Sequence, residues 1–131
     1  MFSNRKVQVY MIAATLTLLP TVSAHAACSL PGTWYFYTGD GEGMKKCLFK
    51  VEVDGSVTGD CTGFSASEPA GTTRANTGHF AVDAACNLTG NFRAVGRPVV
   101  QFRGAHINGP IGGGIATTGT TLFTSFMLVK R

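Results

Sequence analysis

The sequence predicts an all-β fold, an eight-stranded antiparallel up-and-down (meander) β-barrel with two disulfides, over residues 28–131. Three observations carry that expectation. Gly, Thr and β-branched residues interrupt the chain at short intervals, and no stretch sustains helical periodicity for two turns. Short alternating segments are separated by turn formers such as Asp54-Gly55 and Asn108-Gly109-Pro110. All four cysteines, Cys28, Cys47, Cys61 and Cys86, fall in this part, and an even count in a small domain reads as a disulfide framework.

The strands are expected at Gly32–Thr38, Met44–Glu52, Ser56–Cys61, His79–Val82, Cys86–Arg93, Val99–Gly104, Ile111–Ala116 and Thr121–Val129. Alternation puts Trp34 and Phe36 on one face of the first, and Phe49 and Val51 together on the second. Leu88 and Phe92 share a face of the fifth, as Val100 and Phe102 do of the sixth. An eight-stranded barrel is just wide enough inside for these side chains to fill it or to surround one small ligand. Both interiors are open on the sequence alone.

Register comes from the Val53-Asp54-Gly55 turn, which fits a three-residue hairpin loop with Gly55 in the left-handed conformation. Counting outward, Val51 faces Val57, Phe49 faces Gly59 and Cys47 faces Cys61. A directly opposed pair lies within reach of a disulfide, so Cys47–Cys61 is expected and Cys28–Cys86 follows by elimination. In a meander the connections after strands two, four and six are tight and lie at one end. Those after one, three, five and seven, including the long Thr62 to Gly78 segment, lie at the other. Each predicted disulfide then joins residues at the same end.

Gly32-Thr33-Trp34-Tyr35 opens the first strand and Lys130-Arg131 closes the last. The combination resembles the calycin group of barrels, lipocalins and avidins, which implies that Trp34 is a structural plug covered by Lys130 or Arg131. In order the chain is most similar to avidin-like proteins, through Asp54-Gly55-Ser56-Val57-Thr58-Gly59 and Leu88-Thr89-Gly90-Asn91-Phe92. Avidins line their pocket with several tryptophans, whereas this chain has Trp34 alone and Phe36 where asparagine is expected. Biotin is therefore not the expected ligand. Leu30-Pro31-Gly32-Thr33-Trp34, followed by cysteines across the next hairpin, is similar to periplasmic inhibitors of secreted metalloproteases, whose N-terminal segment enters the protease cleft.

Residues 1–27 read as a cleavable signal peptide. Arg5 and Lys6 precede an apolar run from Val7 to Leu19, and Ala24-His25-Ala26-Ala27 supplies small residues for a cut. The run is shorter than the roughly 20 residues of a membrane span. Lipidation of Cys28 is the alternative, although His25 stands where a lipoprotein signal carries an aliphatic residue. Localisation is thus expected to be periplasmic or secreted, with no stable membrane insertion after cleavage. Removing Arg5 and Lys6 lowers the net charge from +4 to +2, and the remaining cations are scattered, so no nucleic-acid partner is indicated.

No motif builds a catalytic constellation, and no cofactor is called for. His79 and His106 lack neighbours at metal-ligand spacing, and no two cysteines form a zinc knuckle. Gly109 to Gly114 has neither the lysine nor the helix of a phosphate loop, so a bulged or closely packed strand is the plainer account. Function is read as non-enzymatic binding of a small or extended ligand at the open mouth; the partner is expected to be an unknown small ligand or a protein. Candidate lining residues are Phe36, Phe49, Phe64, Arg74, Phe92 and Phe102, beneath a Thr62 to Gly78 loop carrying Phe64, Glu68 and Arg74. The alternative is a protein inhibitor acting through Ser29 to Pro31. The sequence assigns neither the ligand nor an oligomeric state.

Overall fold

A computed structural model describes residues 28–40, 43–118 and 122–131, without the side chains of Asp40, Leu122 and Phe123. The signal peptide expected at residues 1–27 lies outside the described residues. Eight strands follow one another: β1 Gly32–Asp40, β2 Gly43–Val51, β3 Ser56–Ser65, β4 Thr72–Val82, β5 Asn87–Ala94, β6 Val100–Asn108, β7 Ile111–Thr118 and β8 Leu122–Lys130. Each pairs antiparallel with its sequence neighbours and β8 returns to β1, closing the barrel. Among the described residues, closure leaves no edge strand to template aggregation.

The β2–β3 turn sets the register that the sequence predicts. Gly55 takes φ 87°, and its N–H donates to the Glu52 carbonyl at 3.0 Å. The Asp54 carboxylate accepts from the Ser56 hydroxyl at 2.7 Å and the Ser56 N–H at 2.9 Å. These bonds, the hydroxyl's first, hold the Asp54 carboxyl below the ordinary carboxylate range. A Cβ at residue 55 would also lie 2.9 Å from the His79 ring, so both conformation and space require glycine. From this turn Cys47 pairs with Cys61, and the two form a disulfide. Cys28–Cys86 is the second, spanning 58 residues. Two disulfides indicate an oxidising, non-cytoplasmic environment.

Strands three and four are longer than the sequence predicts, and the expected Thr62 to Gly78 loop is mostly hairpin. β3 continues to Ser65 and β4 begins at Thr72, leaving residues 66–71 as the connection. Thr62 and Thr73 face each other there, their hydroxyls 2.7 Å apart. The reason lies in what β4 turns inward before Phe80. Thr72, Arg74 and Asn76 line an open cavity, and of them only Asn76 is buried. Polar residues at inward positions give no apolar alternation to read. Smaller shifts occur elsewhere: Cys86 leaves the ladder at φ 63°, and β6 starts at Val100.

The choice between a filled and a hollow interior resolves by depth. Phe36, Phe49, Phe80, Phe92, Phe102 and Phe126 are buried and share ring contacts, with centroids 4.6 Å (Phe102 to Phe126) to 6.1 Å (Phe36 to Phe102) apart. Full burial of one such ring is worth about 1.5–3 kcal/mol. The cluster therefore contributes at least as much as two disulfides at about 2–4 kcal/mol each. Below it, Trp34 plugs the tight end, and its indole N–H donates to the Leu30 carbonyl at 2.7 Å. The glycines of β7 serve close packing: a Cβ at Gly114 would lie 2.6 Å from the Ala105 Cα, beside the register shift between β6 and β7.

Candidate functional site at the barrel mouth

The last residues of β1, β3, β5 and β7 share the end opposite Trp34, as the meander requires. Above the phenylalanines the barrel opens there into a cavity of ≈ 540 Å³. Its buried lining is Phe36, Phe92, Val100 and Ala116, with Cys61 of the disulfide and Asn76. Half-exposed Thr38 and Thr124 continue the wall, their hydroxyls 3.0 Å apart, and Thr38 donates to the Ser125 carbonyl at 2.8 Å. Glu68, Thr72, Arg74 and Arg97 belong to the exposed lining, and half-exposed Lys45 joins them.

Hydrogen bonding fixes several of these groups. The Asn76 side-chain amide donates to the Arg74 carbonyl at 2.9 Å. Glu68 accepts from the Thr72 hydroxyl at 2.8 Å, while its N–H donates to the Ser65 carbonyl at 3.1 Å, bracing the 66–71 connection. Arg74 and Arg97 pair with no carboxylate among the described residues. The ion pair found there, Lys50 with Glu52 at 2.7 Å, stands on the exposed outer wall.

Four of the six expected lining residues, Phe36, Phe64, Arg74 and Phe92, do line the cavity. Phe49 and Phe102 lie outside its lining, deeper in the ring cluster. Phe49 packs on Phe80 and Phe92, and Phe102 on Phe80 and Phe126. Alternation identified the inward face correctly but carried no information about depth. Thr38, Asn76, Arg97 and Thr124 were missed. Alternation back from Phe80 through Gly78 puts Asn76 on the inward face of β4. Arg97 belongs to the β5–β6 connection, already assigned to the loose end.

Phe64 lies at the rim, where a second cavity of ≈ 370 Å³ adjoins the first. Tyr37, Met44, Lys46, Phe64 and Ala66 line it on the outer side of the rim. Lys46 also places its Nζ 5.4 Å from the Tyr35 ring and 5.9 Å from the Tyr37 ring.

At the opposite end, Lys130 covers the Trp34 ring, and Arg131 is exposed with its backbone N–H donating to the Thr33 carbonyl at 2.9 Å. Ser29 to Pro31 is held against this closed end. Ser29 accepts from Lys130, Leu30 is buried, and Cys28 is tied to Cys86. His79 and His106 are exposed on the outer wall. Among the described residues no three His, Cys, Asp or Glu gather as a metal site. The mouth lining contains no histidine among the described residues. What the arrangement can do is hold a ligand with an apolar body against Phe36 and Phe92 and a polar group near the rim. No family model, curated protein or solved structure matches the chain.

Proposed function

We propose that the chain is an exported, non-enzymatic binding protein that holds a small ligand in the open mouth of its barrel. The observation that carries this reading is the cavity of ≈ 540 Å³ above a floor already packed with phenylalanine. A small concave site, apolar below with a few polar groups above, is the usual form of a ligand pocket. Export to the periplasm or beyond is supported by the disulfides together with the basic, apolar and small-residue pattern of residues 1–27. Kinship with calycin barrels is supported by the meander and by Lys130 over Trp34. An inhibitor acting through Ser29 to Pro31 would need that segment free, whereas the carbonyls of Ser29 and Leu30 are bonded to Lys130 and Trp34.

Native mass spectrometry of the protein purified from its own host tests the proposal, with Thr124→Trp as the comparison. Thr124 is half-exposed and lines the cavity, so an indole there fills the mouth. The expected result is a retained small-molecule adduct in the natural protein and none in Thr124→Trp. No adduct in either, or equal retention in both, overturns the proposal.

A further inference from the structure

Resting on the mouth as a binding site, we infer that its ligand is a small organic anion: an apolar body on Phe36 and Phe92, and an anionic group between Arg74 and Arg97. The cavity is layered by chemistry. Its buried part is chiefly apolar, so it favours removal of a hydrocarbon or aromatic surface from water. Arg74 and Arg97 reach the same cavity from β4 and from the β5–β6 connection, and neither is engaged by a carboxylate among the described residues. Glu68 is the one carboxylate in the described lining, and it accepts from the Thr72 hydroxyl.

Guanidinium suits this task for a specific reason. Its planar fork donates two parallel hydrogen bonds to a carboxylate, sulfonate or phosphate, and it stays charged at any physiological pH. Two such forks above an apolar floor select against uncharged ligands of the same shape, which would leave both forks without a partner. They select against cations by direct repulsion.

Two dyes with the same ring system separate this inference from the reading beneath it: 8-anilinonaphthalene-1-sulfonate, an anion, and N-phenyl-1-naphthylamine, which is uncharged. Fluorescence titration at low salt should give a Kd about tenfold lower for the sulfonate, the ratio that one charge-assisted hydrogen bond supplies. Arg74→Gln with Arg97→Gln should abolish that preference. Both side chains are exposed, so the double variant should melt like the natural protein. Equal affinity for the two dyes, or a preference that survives the double variant, overturns the anion assignment. The mouth site would then stand if Thr124→Trp blocks both dyes. If neither dye binds in a way that Thr124→Trp blocks, the mouth site itself is removed.

Discussion

The Lys130 Nζ sits 5.3 Å from the centroid of the Trp34 ring and donates a 3.0 Å hydrogen bond to the carbonyl of Ser29. One side chain from the last strand thus joins the first strand and the segment before it. A cation over an indole contributes about 0.5–2 kcal/mol, and a net hydrogen bond about 1 kcal/mol. Lys130→Ala should destabilise the barrel by about 1–2 kcal/mol in urea unfolding, and Lys130→Met should recover only the packing share. Equal stability of Lys130→Met and the natural protein would show that the charge does nothing.

The two disulfides should differ in what they stabilise. Their sequence separations are 58 and 14 residues, and chain entropy makes the longer closure worth about 1 kcal/mol more. Cys28→Ala with Cys86→Ala should therefore lower the unfolding midpoint further than Cys47→Ala with Cys61→Ala. Cys61 lines the mouth cavity, so the second pair should be the one that changes dye affinity. The reverse ordering in both measurements would refute the assignment.

Acid should weaken the closed-end turns. The Asp83 carboxylate accepts from the Asn87 side-chain amide at 3.0 Å and from the N–H groups of Asn87 and Ala85 at 2.9 Å each. These bonds, the side-chain one first, hold its carboxyl below the ordinary range, as Ser56 does for Asp54. A native value below the unfolded one, about 3.9, means stability that is complete above that value and lost as pH falls through the lowered native value. Between about pH 5 and pH 2 the urea midpoint should fall, and fall less in Asp54→Asn with Asp83→Asn. Parallel pH curves for the two proteins would count against the role of these carboxylates.

Packing of β7 on β6 leaves no room for a methyl group at one point. The 2.6 Å approach to the Ala105 Cα means that Gly114→Ala must push two backbones apart. Overpacking of this kind costs about 1–3 kcal/mol, so Gly114→Ala should lower stability by that amount in chemical denaturation. Gly96→Ala, where nothing lies within 4 Å of the added carbon but φ is 72°, separates space from backbone strain. If Gly96→Ala proves the more damaging of the two, conformation outweighs packing in this fold.

The β2–β3 hairpin was legible in the sequence because its signals are local. Asp54-Gly55 states the turn, the turn states the register, and the register brings Cys47 to Cys61. The mouth was less legible because its inward residues have no reason to be apolar. Thr72, Arg74 and Asn76 face the cavity, so the start of β4 reads as a loop. Depth was not legible at all. Phe36 and Phe49 alternate inward alike, yet only Phe36 reaches the cavity lining. That distinction depends on how eight strands stack around the axis, a property of the closed sheet and not of any one segment.

Both ends of the barrel domain leave from the closed side. Cys28 is anchored to Cys86 in the β4–β5 connection, and the Lys130 N–H donates to the Pro110 carbonyl of the β6–β7 turn at 2.7 Å. A tether attached before Cys28 or after Arg131 therefore points away from the cavity. Immobilised on a bead or fused to a reporter at either position, the barrel would present its mouth outward to solution. Because Lys130 bonds to Ser29, Arg131 lies near Cys28, and a chain joined between those residues could be reopened elsewhere. The new break would belong at the 66–71 connection, where residues 66–70 are exposed.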